Sequence, residues 1–194
     1  MQSLLGNKKK GLLFILSAPA GTGKTTLVRA LTHEFSDVIA SISYTTRSPR
    51  KGEVHGKDYY FVTENEFNQR IGSADFLEHV QLYGNYYGTS KQWVQERLES
   101  GQHVFLVIDT QGAMHLRKEL EAIFIFILPP SIEVLRQRLL NRATEKLEII
   151  DRRMEQAKTE LLLAENYHYQ IINDQLAVAY QVLKSVVIAE CHRT

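Results

Sequence analysis

Leu12-Leu13-Phe14-Ile15-Leu16-Ser17 runs without a charge into Ala18-Pro19-Ala20-Gly21-Thr22-Gly23-Lys24-Thr25, and this passage decides the fold. A short, continuous apolar run suits a strand buried on both faces, as in a parallel sheet. From Thr25 onward Leu27, Val28, Ala30 and Leu31 fall at helical spacing. The eight residues between follow the P-loop pattern, except that Ala18 stands where the first glycine belongs. The physics of such a turn is concrete. Successive backbone N–H groups and a helix N-terminus converge on a polyphosphate. Lys24 adds a point charge for the β- and γ-phosphates, and the Thr25 hydroxyl is placed to ligate Mg²⁺. A flexible Gly/Thr loop with a solvated lysine is the plainer alternative, and the strand–loop–helix context argues against it. Ala18 matters only if its position needs positive φ or close backbone approach.

Working outward, Val104–Ile108 and Ile123–Leu128 are further unbroken apolar runs, and Tyr169–Ile172 is a shorter one. Helical patterns separate them. Ser90–Ser100 ends at Gly101, Ser131 follows Pro129-Pro130 and can cap the next helix, and Leu176–Ala189 closes the chain. Apolar strands alternating with helices predict an α/β fold, a parallel sheet covered on both faces. The segment from about Ser41 to Gly88 reads as an insert. Val38–Ser43 reads as a strand running into it, and it holds strands at Asp58–Val62 and Phe76–Leu82, a capping box at Thr63 and Glu66, and a loop at Tyr83–Gly88 by its glycines. Residues 1–10 read as a mobile polar leader.

Composition narrows the partners. The 194 residues carry 23 Lys+Arg against 22 Asp+Glu, a formal charge of +1, which excludes a globally basic nucleic-acid binder. No apolar run approaches the ~20 residues of a membrane span. Lys8-Lys9-Lys10, Leu12–Leu16 and Ala18-Pro19-Ala20 imitate a signal peptide, but the apolar part is short and the phosphate loop explains it better. One cysteine, Cys191, can form no internal disulfide, which points to a reducing, cytoplasmic setting.

Asp109 ends the Val104–Ile108 run, where an acidic residue commonly faces the P-loop and holds a metal-bound water. It can equally cap the following helix, and both roles are compatible. Asp109-Thr110-Gln111-Gly112 also matches the Asp-x-x-Gly switch of GTPases. Neither Pro129-Pro130 nor Asn173-Asp174-Gln175 fits the guanine-reading element such a switch needs, so that class is disfavoured. Within the insert, Arg47 and Arg50 flank Pro49 as a fork able to grip an anion. Tyr59, Tyr87 and Thr89 add hydroxyls, and Glu78 adds an acceptor. A carboxylate beside a phosphate grip makes sense if it reads a ring bearing N–H donors, such as guanine. Tyrosines packed as core with generic partners are the bland alternative.

Taken in order, the P-loop, Thr45-Thr46-Arg47-x-Pro49-Arg50-x-Gly52-Glu53, Gly84-Asn85-Tyr86-Tyr87-Gly88-Thr89, Ile108-Asp109-x-Gln111-Gly112 and Ile127-Leu128-Pro129-Pro130-Ser131 resemble the guanylate kinase family. The likeness runs from about Leu12 to Leu183. It implies a P-loop NTPase-type core (residues 1–40, 89–130 and 154–194), a mixed α/β GMP-binding insert (41–88) and a helical lid (131–153). It implies transfer of the γ-phosphoryl group of ATP to GMP, and to dGMP, with Mg²⁺, by a cytoplasmic monomer or weak homo-oligomer. Nucleic acid and membrane are not expected partners.

Residue by residue, the resemblance implies that Ala18, Pro19, Ala20, Gly21, Thr22, Gly23, Lys24, Thr25 and Thr26 hold ATP, with Asn173 on the adenine side. Ser43, Arg47, Arg50 and Tyr87 would hold the GMP phosphate, assisted by Tyr59, while Glu78, Thr89 and Asp109 would read guanine. Lys24, Arg138, Arg142 and Arg153 would act on the transferring phosphoryl group. Thr25 would bind Mg²⁺, with Asp109 acting through water. The lid arginines alternate with Glu133, Glu145 and Glu148, so a solvated charged face is their plainer reading. Besides Ala18, the chain departs from the family at Val107, usually acidic, and at Ala143, usually glycine. Two other classes stay open: a binding module that reuses the fold for protein partners, and a P-loop kinase for another nucleotide.

Overall fold

The computed structural model describes residues 4–6, 9–141 and 147–194. Strand β1 (Leu13–Ser17), buried at all five positions, feeds the Gly-rich turn and helix α1 (Lys24–Glu34). Strands β2 (Val38–Ala40), β3 (Tyr44–Thr45) and β4 (Tyr60–Phe61) follow, then helix α2 (Glu64–Gly72). The expected capping box is present at its start, with Thr63 and Glu66 satisfying each other's backbone N–H groups. Next come β5 (Phe76–Leu82), β6 (Asn85–Ser90) and α3 (Lys91–Glu99). The chain finishes with β7 (His103–Val107), α4 (Thr110–Glu119), β8 (Ile123–Leu128), α5 (Ile132–Asn141), α6 (Leu147–Leu162), β9 (Tyr169–Ile172) and α7 (Leu176–Cys191).

Two sheets divide this order. The larger has five strands, β2-β7-β1-β8-β9, every pair parallel, and β1 lies at its centre. Because strand side chains alternate between faces, β1 splits its apolar run between two clusters. Phe14 and Leu16 pack with Leu27 and Leu31 of α1 and with Leu183 and Val187 of α7. Leu13 and Ile15 pack on the other face with Val94 of α3 and Leu116 of α4. Helices thus cover both faces, as the sequence predicts.

The smaller sheet, β4-β3-β6-β5, is mixed: β3 and β4 are parallel, and β6 runs antiparallel to both β3 and β5. Phe67 of α2, fully buried, stacks on Phe76 at 4.5 Å and on Tyr86 at 5.4 Å.

Three expectations change. Residues 83–88 are no loop, since only Tyr83 and Gly84 turn the chain and β6 begins at Asn85 and continues past residue 88. Gly88 serves packing instead: a Cβ there would sit 2.9 Å from Phe76 and 3.0 Å from Phe67. The polar leader is anchored where described. Leu5 is 1% exposed inside the α1/α7 cluster, and the His192 ring meets the Leu4 carbonyl at 3.0 Å. The two short strands of the insert fall at Tyr44–Thr45 and Tyr60–Phe61, so the stretch expected at Val38–Ser43 ends as a strand at Ala40. Arg142 and Ala143 lie outside the described residues.

Candidate active site

Loops at the C-terminal ends of parallel strands are where open α/β sheets bind ligands, and the chain uses two of them here. Behind β1, Gly21 and Gly23 sit at φ +92° and +91°, in the left-handed region that favours glycine. The turn is also braced from below. The buried Asn173 donates its side-chain amide to the Thr22 carbonyl at 2.7 Å, and a Cβ on Gly23 would lie 2.6 Å from that nitrogen. Thr22, buried, closes the turn by donating its hydroxyl to the Pro19 carbonyl at 2.9 Å. Ala18 is not in the left-handed region, since among described non-glycine residues only Ala74 and Tyr83 are. Its carbonyl and that of Pro19 accept from the Lys24 ammonium. Thr25 and Thr26 are exposed in the first turn of α1.

Behind β7, Asp109 caps α4, its Oδ1 accepting from the Gly112 N–H at 2.7 Å. Both proposed roles of Asp109 remain compatible. Its Oδ2 is buried and has no hydrogen-bond partner. Burial raises its pKa, against the pull of the Gly112 and Gln111 amides and of Lys24.

The small sheet forms the facing wall. Glu78, only 5% exposed, accepts from the Thr89 hydroxyl at 2.7 Å. Its other oxygen lies 2.7 Å from where a Cβ on Gly112 would stand, so the insert touches the N-terminus of α4 through this carboxylate. Burial pushes the Glu78 pKa up to about 7, opposed by Thr89 and aided by Asp109. Arg47 makes a fork with Glu53, both N···O distances 2.9 Å, while the Arg50 N–H donates to the same carboxylate at 2.7 Å. Tyr59 lies under the Arg47 guanidinium at 5.3 Å and meets Tyr87 edge-on at 6.1 Å.

Between these walls lies a cleft of about 570 Å³. Lys24, Thr25, Ser43, Arg47, Arg50, Tyr59, Glu78, Tyr87, Asp109 and Arg153 all line it, so most of the residues read from sequence meet at one place. Pro19, Gly21, Thr22, Gly23 and Thr26 of the P-loop and the start of α1 are not in its lining, nor are Thr89, Asn173 and Arg138. Thr89 is beneath Glu78 and 1% exposed, Asn173 is beneath the P-loop, and Arg138 is tied by its guanidinium to the carbonyls of Asn173 at 2.9 Å and Asp174 at 3.2 Å. Val107 lines the cleft as well, an apolar side chain beside Asp109.

Sequence reasoning missed Glu53 as the partner of Arg47 and, apart from Arg153, a stripe on α6. Ile149, Arg152, Arg153, Gln156 and Glu160 all line the cleft. Their spacing, near every third or fourth residue, is one helix face, and that was the available signal. Charge alternation disguised it as solvated surface.

A family model described as guanylate kinase matches residues 10–190. The chain belongs to the guanylate kinase family. The guanylate kinase of Protochlamydia amoebophila (strain UWE25) is 63% identical over 191 residues, covering 98% of this chain and 97% of that one. The guanylate kinase of Nitrosospira multiformis is 50% identical over 185 residues, covering 95% and 88%. Among solved structures, the crystal structure of guanylate kinase from Anaplasma phagocytophilum superposes with a TM-score of 0.80 at 32% identity, covering 96% of this chain and 89% of that one. Membership of the guanylate kinase family makes this chain a nucleoside monophosphate kinase with the P-loop kinase fold. Among the described residues no helix is long and apolar enough to cross a membrane.

Proposed function

We propose that this kinase transfers the γ-phosphoryl group of ATP to GMP, giving ADP and GDP. One observation carries the reading: a P-loop with its lysine and a wall holding two arginines, two tyrosines and a buried carboxylate face each other across one cleft. ATP lies on residues 18–26, and GMP lies against the small sheet. Arg47, Arg50, Ser43, Tyr59 and Tyr87 hold its phosphate. Glu78 accepts from the guanine N1–H and amino group, with Thr89 holding that carboxylate in place and Asp109 beside it. dGMP, which presents the same guanine and phosphate to these residues, is an acceptor too.

Phosphoryl transfer asks little covalent chemistry of a protein; it asks for alignment and charge stabilisation. The attacking oxygen of GMP is already anionic, so no general base is needed. Repulsion between two polyanions is the obstacle; Lys24, Arg47, Arg50 and Arg153 reduce it from the cleft, and Arg138 and Arg142 join them when the segment 131–153 closes. Closure excludes the water that would otherwise intercept the phosphoryl group. Mg²⁺ fits the donors present: the exposed Thr25 hydroxyl and the buried, unpartnered Oδ2 of Asp109 are oxygen ligands of the kind a hard dication takes. When bound, it would neutralise charge on the ATP phosphates.

The residues 41–88 with their sheet are the GMP-binding part. The segment 131–153, as far as it is described, is the part that closes, and Asn173 supports the adenine side by fixing the P-loop. The kinase acts in the cytoplasm on small molecules, as a monomer or weak homo-oligomer. The binding-module alternative loses support because Lys24, Thr25, Arg47 and Arg50 are all present at the cleft.

Coupled measurement of ADP release at fixed ATP·Mg²⁺ tests this. Turnover should require GMP and fall at least 10³-fold in Lys24→Ala or Arg47→Ala, about 4 kcal/mol of transition-state stabilisation. Equal rates with GMP, AMP and CMP would overturn the guanine assignment.

A further inference from the structure

The β5–β6 hairpin turns on Tyr83 and Gly84, at φ +52° and +78°. Such a two-residue turn needs positive φ at both positions and normally takes Asn, Asp or Gly at the first. A tyrosine there is unfavourable, because its Cβ crowds the backbone in the left-handed region. Burial does not compensate, since the side chain is 59% exposed. Its reach explains its presence. The Tyr83 hydroxyl crosses the mouth of the cleft and donates to Oε1 of Gln156 on α6. Gln156 in turn donates its Nε2–H to Oε1 of Glu160 at 2.7 Å. Donor and acceptor ends of the amide are therefore both fixed, and each bond polarises the other. Glu160 is 9% exposed and lines the same cleft as Lys24 and Asp109, whose charges act on it.

We propose that Tyr83, Gln156 and Glu160 form a strap that holds the GMP-binding insert closed on α6 and ties its position to a carboxylate beside the P-loop. The proposal rests on the reading above, in which the insert carries the phosphoryl acceptor. Gln156 is its positioning residue. It touches neither reacting phosphate, yet it joins the tip of the hairpin to a buried carboxylate that lines the cleft together with Lys24. With the strap made, the closed insert is favoured before GMP arrives, and GMP has to supply less of that ordering itself. With the strap cut, part of the intrinsic affinity for GMP goes into closing the insert. The ATP side should be little affected, because the three side chains of the strap belong to the hairpin and to α6 and none to α1 or the P-loop.

Tyr83→Phe removes only the hydroxyl, and Gln156→Leu removes both hydrogen-bonding ends. Each should raise the KM for GMP about 3- to 10-fold, with kcat within twofold and the KM for ATP unchanged. The double variant should be no worse than Gln156→Leu alone, and Gln156→Glu, which keeps an acceptor for Tyr83 but sets a carboxylate against Glu160, should not rescue. Independent losses that multiply would overturn the strap. A second readout does not depend on turnover: fluorophores on cysteines replacing the exposed Gln81 and Lys158 report the insert-to-α6 distance. In ligand-free protein the distance should lengthen and broaden with Tyr83→Phe, then return to the parental value with saturating GMP. An unchanged distance also overturns it. The parental protein separates the two ideas. If it fails to use GMP, the functional reading falls; if it turns over while the variants match it, only the strap falls.

Discussion

Glu78 shows how one side chain joins stability, recognition and pH. Its carboxyl is buried, and its pKa rises from 4.5 to about 7. Below about pH 4.5 it is protonated in the folded and unfolded chain alike. Between 4.5 and 7 the unfolded chain releases this proton while the folded chain keeps it, so stability falls as pH rises through that window. At about 1.4 kcal/mol per unit, the full difference is roughly 3 kcal/mol. Denaturant titrations should therefore show Glu78→Gln flattening the decline between pH 4.5 and 7, with little change below it. Guanine presents N–H donors that favour the ionised carboxylate. GMP affinity of the parental protein should thus climb towards pH 7 relative to that of Glu78→Gln, the GMP phosphate titrating equally in both. A constant ratio of the two dissociation constants across pH 5–8 would remove Glu78 from guanine recognition. The sequence made this residue visible as an odd carboxylate among arginines. It could not show that Thr89 and Gly112 enclose it, because those contacts join β6 and α4 from opposite sides.

At the scale of elements, what was legible was what is local. The apolar runs that form β1, β7, β8 and β9, the capping box of α2, the Gly101 stop after α3 and the P-loop all rest on patterns within about ten residues. The β6 strand was not legible, because Gly84 and Gly88 look alike in sequence and do opposite things. One turns the chain, and the other admits two phenyl rings. The Arg47–Glu53 fork and the α6 stripe were hidden for the same reason, since charges read as surface until a facing wall is known. The P-loop itself carries a test of how much its glycines matter. Gly23→Ala places a Cβ at φ +91° and 2.6 Å from the Asn173 amide. It should cost about 1–2 kcal/mol, some 2–8 °C in Tm, and weaken ATP binding at least tenfold. Ala18→Gly should leave ATP affinity within twofold, because that position is not left-handed. Titration with a fluorescent ATP analogue compares the two, and tighter binding by Ala18→Gly would mean that Ala18 obstructs the phosphates.

For the whole molecule, charge and packing are distributed unequally. Net charge is +1, yet Lys24, Arg47, Arg50, Arg152 and Arg153 gather at one cleft and are cancelled elsewhere. The apolar clusters are just as uneven. Two large ones sandwich the parallel sheet, whereas the insert rests on Phe67, a few aromatic stacks and hydrogen bonds. Regions with few buried apolar contacts open at lower free energy than the global unfolding, so the two sheets should exchange amide hydrogens on different timescales. Without ligand, β1, β7 and β8 should be protected longest, and β3 and β4, two residues each, should exchange first. Saturating GMP should slow β3 to β6 by tenfold or more while leaving the parallel sheet nearly unchanged, because a ligand stabilises the unit that it binds. An ATP analogue alone should instead protect residues 18–26 and the start of α1. If GMP protected the parallel sheet and spared the insert, the acceptor would lie on the P-loop side of the cleft, and the assignment of the two walls would have to be exchanged.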